Sequence, residues 1–143
     1  MTNCINMHFD VDGDNFASAG EASENVKMRL KQLGIDPQIV RRVSISLYEA
    51  EINMVIHAGG GMVDVEICED KILLKLTDEG PGIEDLELAM KEGYSTAPDY
   101  VRSLGFGAGM GMPNMKKYSD NLKVDTKVGK GTIVYMTVYF DKR

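Results

Sequence analysis

The sequence predicts an α/β two-layer sandwich, a mixed, mostly antiparallel sheet with helices on one face. Three observations carry this reading. Residues 36–57 repeat apolar side chains at helical spacing around most of a helix circumference. Residues 62–77 and 122–140 each divide into two alternating runs about a short polar turn. A further alternating run stands near the N-terminus. At 143 residues and 43% apolar composition, the chain suits a single domain over 1–143 with one core.

In order, Ile-Asn-Met-His-Phe-Asp-Val at 5–11 alternates apolar and polar side chains and reads as a strand. From Phe16 to Leu33 the residues Phe16, Ala19, Val26, Met28, Leu30 and Leu33 recur among charges, an amphipathic helix with Gly34 as its stop. Asp36-Pro37 supply a cap and a first-turn residue for the next helix, over 36–57. Its stripe of Val40, Val43, Leu47, Ala50 and Met54, widened by Ile45, Ile52 and Ile56, predicts a largely buried helix, and Gly59-Gly60-Gly61 break it. Met62–Cys68 and Ile72–Thr77 form a hairpin about Glu69-Asp70-Lys71. A short helix from Glu84, an irregular stretch from Gly93 to Gly109 and a helix ending near Tyr118 follow. Leu122–Thr126 and Thr132–Phe140 then make a second hairpin around Val128-Gly129-Lys130-Gly131.

Composition excludes several functions. Sixteen basic against twenty-two acidic residues give a net charge of −6, against nonspecific nucleic-acid binding, which needs clustered Lys and Arg. Two cysteines, Cys4 and Cys68, are too few for a disulfide framework, and Cys68 in its alternating run reads as a small core residue. With only His8 and His57 beside them, a structural zinc site is not expected. No apolar run approaches the ~18 residues of a membrane span. The expectation is a soluble, reduced, cytoplasmic protein.

Three stations interrupt these apolar elements. Glu49 and Asn53, at i and i+4, project from one helix face, so their oxygens can converge on one point. A hard cation such as Mg²⁺ accepts an Asn oxygen and waters, and a carboxylate can deprotonate a hydroxyl or a water. Taken alone, the pair reads more readily as structural, Glu49 capping a nearby backbone and Asn53 hydrogen-bonded in the core. Asp78, at a strand end before Glu79-Gly80-Pro81-Gly82, can accept from an exocyclic amine such as adenine N6, while the glycines admit a flat ring; the same residues are also good turn chemistry. Gly105, Gly107, Gly109 and Gly111, interleaved with Phe106, Ala108 and Met110, can turn backbone N–H groups toward phosphates ahead of a helix N-terminus, or serve as a flexible loop. Neither the P-loop lysine nor the strand of a dinucleotide fold accompanies them. Thr132 opens the last strand and can set its hydroxyl beside Asp78, or be an ordinary β-favouring threonine.

The four boxes, in this order, resemble the ATP-binding domain of the gyrase, heat-shock chaperone, histidine kinase and mismatch-repair (GHKL) superfamily. Glu49-Ala50-Glu51-Ile52-Asn53 is similar to the E-A-x-x-N box, Asp78, Gly80 and Gly82 to D-x-G-x-G, Gly105 to Gly111 to G-x-G-x-G-x-G, and Gly129 to Thr132 to G-x-G-T. The match spans about 36–140, and the short segment before the first box is most similar to the anti-sigma-factor serine/threonine kinases. No helix pair carrying a phosphoacceptor histidine precedes the boxes, so a complete sensor histidine kinase is not expected.

The resemblance implies a histidine-kinase-like ATPase fold, ATP and Mg²⁺ as cofactors, and transfer of the γ-phosphate to a serine of a partner protein. Asn53 would ligate Mg²⁺ and Glu49 would be the general base. Asp78 would bind adenine N6, supported through water by Thr132, and Gly80 and Gly82 would shape the adenine pocket. Gly105, Gly107, Gly109, Met110 and Gly111 would close over the phosphates, with Arg102 meeting the γ-phosphate and His57 lining that end. Implied partners are a sigma factor or an anti-sigma antagonist. A homodimer would use the exposed residues of the first two helices and the sheet edge beside the first strand. The alternatives are a nucleotide-dependent binding module and a small ATPase subunit. Acidic Glu51, inside the first box, departs from the apolar or small residue more usual there.

Overall fold

The computed structural model describes residues 4–13, 19–90 and 111–140. Five strands form one sheet: β1 (Ile5–Asp12), β2 (Gly60–Ile67), β3 (Lys71–Asp78), β4 (Asn121–Lys127) and β5 (Gly131–Tyr139). Their spatial order is β1-β2-β3-β5-β4, and every neighbouring pair is antiparallel, so the sheet holds no parallel pair among the described strands. Strand β5 enters between β3 and β4, which makes β1 and β4 the edges.

Among the described residues the helices are α1 (Glu21–Gln32), α2 (Pro37–Ala58), α3 (Leu86–Ala89) and α4 (Gly111–Tyr118). Strands alternate as their sequence requires: Val63, Val65 and Ile67, Ile72, Leu74 and Leu76, and Val134, Met136 and Val138 face inward. They meet Val40, Val43, Leu47, Ala50 and Met54 of α2, Val26 and Leu30 of α1, and Met112 and Met115 of α4 in a single apolar cluster. Helix α2 crosses the sheet under β1, β2, β3 and β5, with α1 and α4 against its flanks.

The helix ends follow local chemistry. Asp36 caps α2 by accepting from Gln38 N at 2.8 Å with Pro37 in the first turn, and Gly59 ends it in a left-handed conformation. Helix α1 ends in a Schellman pattern, Ile35 N to Leu30 O and Gly34 N to Lys31 O, with Gly34 at φ +74°. Its start differs from the expectation: α1 begins at Glu21, after Gly20, and Phe16 lies outside the described residues.

What starts α1 is Glu51. Gly20 has no side chain to cap with, and the Glu51 carboxylate, 1% exposed, crosses from α2 to do so. It accepts from Gly20 N (2.9 Å), Ala22 N (3.3 Å), Ser23 N (3.0 Å) and Ser23 Oγ (2.7 Å). The unusual acidic residue of the first box thus satisfies the orphan N–H groups of a neighbouring helix and places negative charge at its positive end.

The cysteines require a correction. Cys4 and Cys68 are joined in a disulfide rather than free and reduced. The register explains it: Ile5 pairs with Ile67, so the residues just outside that pair face each other across β1 and β2. Glu66 stands beside them, but both sulfurs are spent on each other and neither is a thiolate ligand. Among the described residues no helix is long and apolar enough to cross a membrane.

Reduction with dithiothreitol, or Cys4→Ser, is expected to lower stability by about 2–4 kcal/mol, read as the urea midpoint, because the cross-link closes a long loop; an unchanged midpoint would show that the pair is not bonded in solution. Glu51→Ala is expected to cost about 3 kcal/mol in the same measurement by leaving buried N–H groups unpaired, whereas a surface change such as Glu24→Ala should cost under about 0.5 kcal/mol.

Candidate functional site

Those expected site residues that are described run from the middle of α2 to the sheet end where β3 stops and β5 begins. Glu49 and Asn53 are half-buried, one turn apart on α2. The first residue of α4 stands over them: a Cβ built on Gly111 would lie 3.8 Å from Asn53 Oδ1 and 4.0 Å from Glu49 Oε2. Both oxygens therefore approach the first described residue of α4.

Further along α2, Ala58 meets the next station. A Cβ on Gly80 would lie 2.6 Å from Ala58 Cβ, so Gly80 is glycine because the loop after β3 crosses the end of α2 almost backbone to backbone. Gly82, at φ +80°, is equally constrained, since a Cβ there would lie 2.5 Å from the Lys127 carbonyl. These glycines hold the loop between α2 and the β4–β5 turn, and the Gly129 N to Pro81 O bond at 2.8 Å ties it down.

Asp78, on β3, lies directly opposite Thr132 on β5, which lies opposite Thr126 on β4. Asp78 Oδ1 accepts from Gly80 N at 2.9 Å and Thr132 N at 3.1 Å. Two donors on one oxygen fix the carboxylate plane and turn Oδ2 away from both. The Thr132 hydroxyl, 7% exposed as a residue, pairs with Thr126 Oγ1 at 2.9 Å, and Thr126 Oγ1 accepts from Ile83 N at 2.8 Å. Thr132 thus stands beside Asp78 as expected, but it supports the carboxylate through its backbone N–H.

His57 follows Asn53 by one turn of α2. Burial pushes its imidazole below the ordinary value, so near neutral pH the ring is uncharged and adds no fixed cation to this end. Arg102, Gly105, Gly107, Gly109 and Met110 lie outside the described residues.

Two site residues escaped the sequence reading. Thr126 sits in an alternating strand where threonine is ordinary, and only the β4–β5 register reveals its pairing. Asn114 of α4 donates from Nδ2 to Glu49 Oε2 at 3.3 Å; within Met-Pro-Asn-Met it carries no motif signal.

A two-layer sheet whose central helix presents a carboxylate and an amide, beside a strand-end aspartate fixed by glycine turns, is the architecture of one ATPase class. Residues 34–142 match the family described as histidine kinase-, DNA gyrase B- and HSP90-like ATPase, and the chain belongs to it. More particularly, it is 33% identical over 132 residues to an anti-sigma F factor of Clostridium botulinum, covering 87% of this chain and 89% of that one. It is 37% identical over 113 residues to the anti-sigma F factor of Clostridium acetobutylicum, covering 74% and 76%. In fold it is similar to the RsbU and RsbW domains of a Mycobacterium tuberculosis protein, with TM-score 0.63 and 13% identity over 94% of this chain and 32% of that one. The mycobacterial sensor histidine kinase MprB gives a TM-score of 0.53 at 18% identity, over 94% and 97%.

Asp78→Asn is expected to weaken ATP binding at least tenfold by calorimetry while leaving the thermal midpoint within a few degrees. Asparagine keeps an oxygen for Gly80 and Thr132 N–H but offers a donor where an exocyclic amine needs an acceptor.

Proposed function

We propose that this protein binds ATP with Mg²⁺ and transfers the γ-phosphate to a serine or threonine of a partner protein, as a kinase of the anti-sigma-factor type. The observation that carries the reading is the convergence of Glu49 Oε2 and Asn53 Oδ1 on the first residue of α4. A binding-only module needs no carboxylate there, and one held beside the phosphate end has a use as a base. Similarity to anti-sigma F factors supports the kind of partner, a sigma factor or its antagonist.

The residues divide the work. Asp78 accepts the adenine amine through the oxygen left by its backbone donors, and the Thr126–Thr132 pair closes that end of the pocket. The N-terminal end of α4 faces the phosphates, and Gly105, Gly107, Gly109 and Met110, with Arg102, are assigned to cover them. The oxygen donors fit a hard cation: Asn53 would hold Mg²⁺, which supplies neutralisation of phosphate charge when bound. Glu49 takes the proton of the acceptor hydroxyl as that oxygen bonds to the γ-phosphorus; the bond to the β,γ-bridging oxygen breaks, and ADP leaves with its electron pair. Positioning and charge neutralisation supply most of the rate in such transfers, so few side chains suffice. The proposed setting is the cytoplasm, where ATP and such regulators meet and where reducing conditions would open the Cys4–Cys68 bond.

Labelled ATP, the protein and candidate sigma or antagonist partners decide the matter. Transfer to a partner hydroxyl that falls at least a hundredfold in Glu49→Gln, with ATP affinity kept within about threefold, is the expected result, since general-base catalysis is worth about 10²–10⁴. Tight ATP binding without turnover would favour the binding module, hydrolysis without transfer the ATPase subunit, and failure to bind ATP with Mg²⁺ would end the nucleotide reading.

A further inference from the structure

Helices α2 and α4 lie side by side and antiparallel, one stripe facing another. Gly111 meets Asn53 and Glu49, Asn114 meets Glu49, and Tyr118 meets Arg41, whose guanidinium carbon sits 5.6 Å from the ring centroid. On α4 the apolar work falls to another stripe, Met112 and Met115, which are buried in the core. Asn114 is half-buried on the stripe toward α2, where its polar contact is with the proposed base across 65 positions of sequence.

We propose that Asn114 is a positioning residue for phosphotransfer, orienting the Glu49 carboxylate; this rests on the kinase reading above. An ionised carboxylate only accepts, so the amide must present its N–H side to Oε2. That bond, 3.3 Å long and partly buried, limits rotation of a side chain with free torsions. With Oε2 engaged, Oε1 is left to take the acceptor proton while its oxygen bonds to the γ-phosphorus and ADP departs. Asn114 itself gains and loses no proton. A second anchor comes from the far end of the helix pair, where Arg41 on Tyr118 fixes how the two stripes align. Misplacing a reacting group by about an ångström costs on the order of 10²-fold in rate, so a single orienting bond is enough to matter.

The test uses the full chain, Mg-ATP as the probe and transfer of labelled phosphate to the partner hydroxyl as the readout, with ATP affinity and thermal midpoint measured beside it. Asn114→Ala is expected to lower kcat at least tenfold while KM and ATP affinity stay within twofold. Asn114→Asp, almost the same shape but an anion facing an anion, should lose more than alanine. In a Glu49→Gln background, Asn114→Ala should cost nothing further, because its effect passes through the lost carboxylate. Weakened ATP binding in Asn114→Ala would instead make Asn114 a nucleotide ligand. Wild-type rates in Asn114→Asp would reduce it to space filling, and independent losses in the double variant would place its action elsewhere; each overturns the proposal. Apart from turnover, the side-chain amide ¹H–¹⁵N signals of Asn114 in nucleotide-free protein should move in Glu49→Gln; unmoved signals would deny the contact in solution and sink the proposal. If wild-type protein binds no ATP, the kinase reading falls with this proposal, while the amide signals still decide the contact.

Discussion

Helix α2 is the constraint on which the rest of the molecule depends. It lies across the sheet with most of its circumference buried, so each polar side chain it carries must find a partner within the protein or belong to a site. Glu51 and Glu49, two residues apart, project to different sides of the helix and answer that demand in opposite ways. Glu51 spends both oxygens on the start of α1 and is structural. Glu49 turns toward Asn53, Gly111 and Asn114 and stays half-exposed. One helix thereby ties down α1 by one carboxylate and turns the other toward α4.

The same economy holds at the sheet end. Asp78, Thr132 and Thr126 form one row across three strands, and the row exists because β5 inserts between β3 and β4. Backbone N–H groups rather than charged side chains fix the aspartate. Such donors are set by the ladder and the turn and hold the carboxylate with little torsional freedom, a preorganised acceptor.

What was legible in the sequence is what local periodicity writes. The alternating strands, the buried helix over 36–57 and the i, i+4 spacing of Glu49 and Asn53 all follow from neighbours within a few positions, and the structure returns them with ends shifted by one or two residues. The start of α1 departs from the local pattern because its cap comes from Glu51, some thirty residues away, and no local signal marks it. Cys4 and Cys68 depart from expectation for a like reason: they face each other through a register spanning 64 positions, which their number and spacing do not reveal. Thr126 and Asn114 were invisible because each is an ordinary residue for its element and gains meaning only from what lies opposite. Glu51 alone left a clue, a carboxylate in a helix too apolar to leave it unpaired.

The close crossing of Gly80 over Ala58, and of Gly82 over the Lys127 carbonyl, bears on how the loop after β3 can vary. Walls made by main chain pressed on main chain offer no side chain to enlarge, shrink or recharge. A side chain added at either glycine would have to displace main chain, so substitution there would be felt as lost stability before it reshaped any surface.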